Sequence, residues 1–230
     1  MDRKKFLKNG VIGLGSIIAI PTVISSCSKD DNTDLTTSGS CTISPTETKG
    51  PFPILTPTQL VRASIIGNRT GVALLMTLTI QDQSNGCTPL AGVLVDVWHC
   101  DKDGNYSQYG GTSMQTTNYT NETFLRGRQT TDSSGKVSFL SIFPGWYSGR
   151  APHIHLEVLT SSGTSLLVSQ IAFPKNICDT VYATNGYNGT ADQLNETDNV
   201  FADSLSLNMA DSLTGNVTDG YTLLKTITVS

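Results

Sequence analysis

Short apolar runs alternate with clusters of turn-forming residues along most of the chain, and this pattern predicts β-strands. Seven runs fit strands, at residues 72–82, 94–99, 125–131, 136–143, 153–160, 165–173 and near 221–229. Turn signals such as Ser84-Asn85-Gly86 and Ser161-Ser162-Gly163 separate them. Residues 176–220 are polar and irregular, with room for one short helix. The pattern therefore predicts an all-β fold, an antiparallel β-sandwich with long irregular loops and little helix.

The first 27 residues show a different pattern, that of an export signal. Four basic residues precede an apolar run at residues 11–24, which Pro21 interrupts. The run is shorter than the roughly 20 residues that a membrane-spanning helix needs. It ends in Ile24-Ser25-Ser26-Cys27, which resembles a bacterial lipobox. We therefore expect a signal peptide at residues 1–27 and a lipid on Cys27; the alternative is ordinary cleavage that leaves Cys27 a plain thiol.

The rest of the chain divides into a linker and one domain. Residues 28–40 are rich in Ser, Thr, Asp and Asn, a composition that favours a flexible tether. Residues 41–230 have the size of a single domain. The expected location is the periplasmic or cell-surface face of a bacterial membrane, with contact to that membrane through the lipid only. Without residues 1–26 the chain has 11 basic and 18 acidic residues, a net charge of −7, which gives no electrostatic basis for binding nucleic acid.

Four cysteines follow the linker: Cys41, Cys87, Cys100 and Cys178. An even number in an exported protein indicates two disulfides. Cys87 and Cys100 flank a predicted strand that holds them roughly 20 Å or more apart at ~3.3 Å per residue, whereas a disulfide needs Cα atoms within about 7 Å. We therefore expect Cys41 and Cys178 each to pair with one of that couple, in either combination.

The chemistry of the chain is concentrated in two segments. His153 and His155 lie two residues apart on a predicted strand, so both imidazoles project from the same face. Tyr147 and Arg150 precede them closely, and Tyr106 stands in a turn after the strand at 94–99. Two phenolates and two neutral imidazoles form a ligand set with a net charge of −2, which suits a hard trivalent cation better than Zn(II) or Cu(I). These residues predict a site for Fe(III).

The same segments resemble those of the intradiol ring-cleavage dioxygenases, which include catechol and protocatechuate dioxygenases. The resemblance covers roughly residues 41–173 and weakens after Phe173. The segments that carry it are 47–52, 95–99, 103–107, 124–132 and 144–155. Enzymes of this family bind ferric iron through two tyrosines and two histidines, and both pairs occur here in the family's order and spacing.

The resemblance implies a role for each matching residue. The implied iron ligands are Tyr106, Tyr147, His153 and His155, and Tyr147 matches the tyrosine that leaves the metal when a catechol binds. Arg150 matches the arginine that stabilises negative charge on the substrate ring. The residues that the resemblance places around the substrate are Gly50, Pro51 and Gln170. The implied partners are a small aromatic diol and O2, and the expected product is a muconate-type dicarboxylic acid.

Other polar and aromatic residues have simpler interpretations. His99 follows a core strand and is expected to pack or orient at its end. Asp96 is either a partner of the site residues or a solvated charge on the strand face. Trp98 and Trp146 are expected to pack near the site, with stacking on the substrate as the alternative. Residues 101–105 have some features of a calcium loop, but the glycine falls at the wrong position, so we interpret them as a turn.

Two classes of function remain open at this stage. The first is iron-dependent intradiol cleavage of a catechol-type diol with O2. The second is a noncatalytic β-sandwich module that binds glycan or protein at the cell surface, since a fold does not fix a function. The Tyr, His and Arg set favours the enzyme, because a binding module does not need it. A zinc hydrolase is disfavoured because a third ligand at a usual spacing is missing from the sequence.

Overall fold

The computed structural model describes residues 40–184 and 186–230, which form a β-rich domain. Residues 1–39, which include the predicted signal peptide, Cys27 and most of the predicted linker, lie outside the described residues, so the expectations for them stay predictions. The strands are β1 Ala73–Asp82, β2 Thr88–Pro89, β3 Leu94–Trp98, β4 Arg126–Thr130, β5 Lys136–Ile142, β6 His153–Leu159, β7 Ser165–Ala172, β8 Ser212–Asn216 and β9 Gly220–Val229. The helices are α1 Lys175–Tyr182 and α2 Leu205–Asn208, with short 3-10 turns at Pro57–Gln59 and Asn195–Thr197.

The predicted all-β sandwich is confirmed, and each predicted strand is present with ends shifted by at most one residue. The sequence pattern missed β2 and β8. Strand β8 pairs only with β9 at the margin of its sheet and ends in exposed residues, so it has no alternation of apolar and polar positions. Within the described residues, no helix has the length and apolarity needed to cross a bilayer.

The strands form two sheets. In the first sheet, the order is β2-β1-β9-β8. Strand β5 also pairs with β1, along residues 73–79, whereas β2 pairs with residues 81–82 at the end of β1. In the second, the order is β4-β3-β6-β7, and every pair is antiparallel. The pairing of β1 with β9 is parallel, so the sandwich is not purely antiparallel as predicted. This exception joins the first strand of the domain to its last.

The main core lies between the two sheets. Alternate residues of β1, such as Leu74, Met76 and Leu78, are fully buried, as period-two packing requires. They share one cluster with Val95 and Val97 of β3 and with apolar residues of β6. The intervening residues of β3 and β6 project from the other face of the second sheet. Every residue of β6 is nevertheless buried, so this outer face is covered as well.

The covered outer face is polar, and Asp96 shows how its charges are satisfied. Asp96 is 1% exposed and lies opposite Arg128 in the register of β3 and β4. The Arg128 guanidinium donates to both carboxylate oxygens, at 2.6 and 2.7 Å. The interpretation of Asp96 as a solvated strand-face charge is therefore wrong. It forms a buried, bidentate ion pair on the sheet that carries the histidines.

The cysteines form one disulfide rather than the two expected. Cys41 pairs with Cys87, with 5.9 Å between their Cα atoms, which is one of the pairings that the sequence allowed. Cys100 and Cys178 are free and buried, so the prediction of a second disulfide is wrong. The two thiols belong to different packing clusters, Cys100 beside Trp98 and Cys178 in the main core. Burial raises the pKa of both thiols, so neither is a reactive thiolate at neutral pH.

Candidate active site

Strand β6 places His153 and His155 side by side on the outer face of the second sheet. Their Nε2 atoms are 3.0 Å apart and their rings are nearly perpendicular. Nδ1 of His153 lies 2.6 Å from the carbonyl oxygen of Ala151. Because a carbonyl can only accept, that nitrogen carries the proton and the neutral ring leaves Nε2 free to bind a metal. Burial lowers the pKa of His153 to about 3 and that of His155 well below its usual value, so both imidazoles are neutral.

Two phenol groups complete the cluster. The ring of Tyr106 lies 5.8 Å from that of Tyr147 and 6.3 Å from that of His155, and Tyr147 lies 5.6 Å from His153, measured between centroids. Both hydroxyl oxygens are buried and have no hydrogen-bond partner. A buried polar group left in this state typically costs about 1–3 kcal/mol. Two such groups beside two imidazole Nε2 atoms that face each other at 3.0 Å indicate a place where something binds.

Burial also sets the protonation state of the two phenols. It raises the pKa of Tyr106 well above the usual value and that of Tyr147 to about 12. Arg150 acts against this shift at Tyr147, although burial prevails. A phenol with such a raised pKa loses its proton at neutral pH only when a strong Lewis acid, such as a metal ion, binds the oxygen in place of the proton.

Close approach of two loops brings the tyrosines together. Residues 101–105 form a turn, as predicted, in which the carboxylate of Asp101 accepts from the backbone of Asp103 and Asn105. Gly104 in this turn has φ +85, and a Cβ there would lie 2.4 Å from the carbonyl oxygen of Trp146. Only glycine permits both this backbone conformation and this contact between the Tyr106 and Tyr147 loops.

Gln115 fixes the backbone of Tyr106, a role that sequence reasoning missed. Its side-chain oxygen accepts from the Tyr106 backbone N–H at 2.6 Å, and its amide nitrogen donates to the Tyr106 carbonyl at 2.8 Å. The side-chain amide of Gln115 thus makes the two backbone hydrogen bonds that a neighbouring strand would otherwise make with Tyr106, which lies in a loop. Gln115 lies in a Ser-, Thr- and Gly-rich segment whose pattern carries no signal of this function.

Arg150 is held at the edge of the cluster by two side chains. Its Nε donates to the carboxylate of Asp198, at 2.8 Å to the nearer oxygen, and its Nη2 donates to Gln170 at 2.7 Å. Gln170 lies opposite His155 in the register of β6 and β7 and donates in turn to the carbonyl of Thr48. The predicted neighbours Arg150 and Gln170 therefore do lie together, beside the histidines.

Asp198 is the acidic partner that the sequence did not identify. It is fully buried and also accepts from the backbone N–H of Ala151 at 2.7 Å. Burial alone raises its pKa, but the hydrogen bonds from Ala151 and Arg150 outweigh this, and the pKa of Asp198 ends below its usual value. A charged carboxylate thus fixes the guanidinium. Asp198 lies in the polar, irregular region at residues 176–220, so nothing in the sequence marked it as part of the site.

The segment before β1 closes the site from the N-terminal side. Phe52 stacks on Tyr106 with 4.9 Å between ring centroids. A Cβ added to Gly50 would lie 2.9 Å from the imidazole of His155, so the Gly50 backbone borders this ring, and the neighbouring Pro51 is exposed. The structure thus brings Gly50 into the site, whereas the predicted substrate contact of Pro51 stays a prediction.

The remaining aromatic candidates are structural neighbours. Trp98 is fully buried and stacks on His155. Trp146 packs against the main core and donates to the carbonyl of Gly189. His99 uses Nδ1 on the carbonyl of Cys100 and Nε2 on the hydroxyl of Ser141. Both of its ring nitrogens are occupied, in agreement with the expectation that it packs at the end of its strand.

The four converging side chains fit a ferric ion by their chemistry. They offer two phenol oxygens and two imidazole nitrogens, and the two hydroxyls have no other partner. In the part of the chain that the structure describes, no group of three or more His, Cys, Asp or Glu side chains is placed to hold a metal. A zinc hydrolase site of the usual kind therefore has no ligand set among these residues.

Comparison with known proteins agrees with this chemistry. A family model described as dioxygenase matches residues 56–209. A chlorocatechol 1,2-dioxygenase from Rhodococcus opacus is 31% identical over 152 residues, which are 54% of this chain and 54% of that protein, so the chain spans about half the length of this curated relative.

Solved structures show the same fold. An intradiol ring-cleavage dioxygenase from Tetranychus urticae superposes with a TM-score of 0.73 at 27% identity, covering 83% of this chain and 95% of that one. A 3-chlorocatechol 1,2-dioxygenase from Rhodococcus opacus 1CP superposes with a TM-score of 0.57 at 21% identity, covering 81% and 72%. The family match extends over more than half of the chain and includes the tyrosine and histidine cluster. This chain therefore belongs to the intradiol ring-cleavage dioxygenase family.

Proposed function

We propose that the enzyme uses Fe(III) and O2 to open the ring of a catechol-type diol between its two hydroxylated carbons, giving a muconate-type dicarboxylic acid. One observation carries the proposal. Two partnerless phenol hydroxyls and two neutral imidazoles converge in one buried cluster, with a guanidinium fixed beside them. Family membership supports ring cleavage, and the cluster supports iron as the metal.

In this proposal Tyr106, Tyr147, His153 and His155 hold the metal. Iron bound there supplies Lewis acidity, which favours the deprotonated diol and makes its ring reactive toward O2. Tyr106 is fully buried, whereas part of Tyr147 is accessible. Tyr147 would therefore be the ligand that an incoming diol can reach, and its phenol oxygen is assigned the role of taking up a proton from that diol.

Arg150 stabilises the negative charge that develops on the substrate during cleavage. Its Nε donates a hydrogen bond to Asp198, and its Nη2 donates one to Gln170. These two hydrogen bonds hold the guanidinium beside the site. A charge that is fixed before the reaction costs no reorganisation when the transition state forms. This arrangement supports a catalytic role for Arg150 and a positioning role for Asp198.

Purified protein tests the proposal directly. We expect one iron per chain and a broad visible absorption band from ferric phenolate, which shifts when a catechol is added. Measurements of oxygen uptake with simple, hydroxylated and larger plant-derived catechols should identify substrates. With isotope-labelled O2, we expect the product to contain both labelled oxygen atoms. Colourless protein with stoichiometric zinc, after growth in iron-replete medium, would contradict the iron assignment. Iron-loaded protein that opens none of these diols would favour the surface-binding alternative.

We further propose that Cys27 carries a lipid and that the domain lies outside the cytoplasm on the linker at residues 28–40. The lipobox-like Ile24-Ser25-Ser26-Cys27 sequence supports this proposal. Cys27→Ser is expected to release the protein from the membrane fraction or to block its processing, as measured by cell fractionation and intact mass. Unchanged retention in the membrane would show that this sequence is not a lipidation signal.

A further inference from the structure

The imidazole of His155 is confined by two residues from different parts of the chain. Trp98 lies opposite His155 in the register of β3 and β6, and the two rings are stacked with 5.1 Å between centroids and 3° between planes. Trp98 is 0% exposed and His155 is 1% exposed, so the stacked pair is shielded from solvent.

Gly50 closes the edge of the ring that carries Nε2. A Cβ added to Gly50 would lie 2.9 Å from Cε1 and 3.2 Å from Nε2 of His155. Real Cβ atoms essentially never approach another atom to less than 3.0 Å, so a larger residue at this position would displace the ring. Gly50 also has φ +66, in the left-handed region that favours glycine.

These contacts determine where His155 Nε2 points. With the Trp98 indole stacked on the ring and the Gly50 backbone at its edge, Nε2 lies 3.0 Å from His153 Nε2. Trp98 Nε1 makes no hydrogen bond, so stacking is the interaction through which the indole acts on its neighbour.

We infer that Gly50 and Trp98 are positioning residues that fix the His155 imidazole for metal binding. The inference rests on the proposed iron function. It assigns Gly50 a role other than the substrate contact that the sequence suggested, and it assigns Trp98 a role other than a platform for the substrate.

The orientation of the ring can be tested without metal. The chain has three histidines, so the imidazole carbon–proton signals of the apo protein can be resolved by NMR. We expect the His155 Cε1 proton to show an upfield ring-current shift from Trp98. Trp98→Leu should remove this shift, Trp98→Phe should keep much of it, and Gly50→Ala should move the signal. If either Trp98→Leu or Gly50→Ala leaves the His155 signal unchanged, the inference is wrong for that residue.

The consequence for the metal is tested by iron titration of the apo protein. Residues that orient a metal-binding histidine typically contribute a factor of about 10–100 in metal affinity, and we expect a loss of this size for Gly50→Ala and for Trp98→Leu. Trp98→Phe should restore most of the affinity, because it keeps an aromatic face.

Gly163→Ala is the matched control for Gly50→Ala. Gly163 lies in the turn between β6 and β7 with φ +91, and a Cβ there meets nothing within 4 Å. It therefore carries the same kind of backbone strain without a clash, and we expect it to lower the melting temperature while leaving iron affinity at the wild-type value. Wild-type affinity in Gly50→Ala would overturn the inference. A wild-type protein that binds no iron would instead overturn the proposed function, while the NMR comparison would still decide the orientation of the ring.

Discussion

Tyr106→Phe is expected to leave a folded protein that does not retain iron and does not turn over a catechol. The substitution removes one anionic oxygen from the proposed ligand set. The Tyr106 hydroxyl is buried without a partner, so its loss breaks no hydrogen bond in the apo protein and should leave the melting temperature unchanged or higher. His155→Ala is expected to lose iron as well, because it removes one of the two nitrogen donors. Metal content, the visible band and thermal unfolding of the apo protein check these outcomes.

Tyr109→Phe is the matched control for the loss of a phenol oxygen. Tyr109 also packs near Phe52, but its hydroxyl donates to the carbonyl of Pro53 at 2.8 Å. Removing it should lower stability by about 0.5–1.5 kcal/mol and leave iron binding intact. If Tyr106→Phe kept its iron and colour as this control does, Tyr106 would not be a ligand.

Arg150→Ala is expected to keep iron and colour while turnover falls by roughly 10²–10³-fold, the usual effect of removing a fixed group aimed at developing charge. Asp198→Asn is expected to lower turnover in the same direction, because it removes the negative charge that holds the guanidinium. The comparison of kcat with KM separates these effects from a loss of substrate affinity. Arg150→Lys should not restore the activity, since an ammonium group cannot contact Asp198 and Gln170 in the geometry of a guanidinium.

Lys175→Ala is a suitable control, because it also removes a cation from an ion pair. Lys175 pairs with Asp179 on the exposed face of α1, and such pairs contribute little to stability. We expect neither iron binding nor turnover to change. If Arg150→Ala turned over catechol as fast as this control, the arginine would be structural and the proposed role in charge stabilisation would be wrong.

Strand periodicity alone predicts the two histidines, whereas Tyr106, Tyr147 and Arg150 lie in loops and were predicted through the resemblance of their segments to a known family. His153 and His155 lie two residues apart on β6, so their common face follows from the geometry of any strand. Asp198 and Gln115 act from loops, where the path of the backbone depends on tertiary contacts and no period relates spacing to direction. Their contributions became visible only with the hydrogen bonds that they make.

The cysteines show a second limit of sequence reasoning. An even count favours complete pairing, yet Cys100 and Cys178 are packed as apolar side chains in different clusters. Free cysteine is among the most buried residue types and behaves as a small hydrophobic residue. The count, together with the length of the strand between Cys87 and Cys100, left Cys41–Cys87 as one allowed pairing, but it could not separate cysteines that form a bond from cysteines that fill the core.

The Cys41–Cys87 disulfide also determines how the domain responds to force. The chain from Cys41 to Gly50 crosses from one sheet to the other, with single backbone hydrogen bonds from Ser44 to β9 and from Glu47 to β7, before it reaches His155. A pull on any residue upstream of Cys41 reaches a covalent bond before it reaches those hydrogen bonds. Force applied upstream of Cys41 would therefore pass through the disulfide to Cys87, next to β2 of the first sheet, as well as along the segment that leads to Gly50.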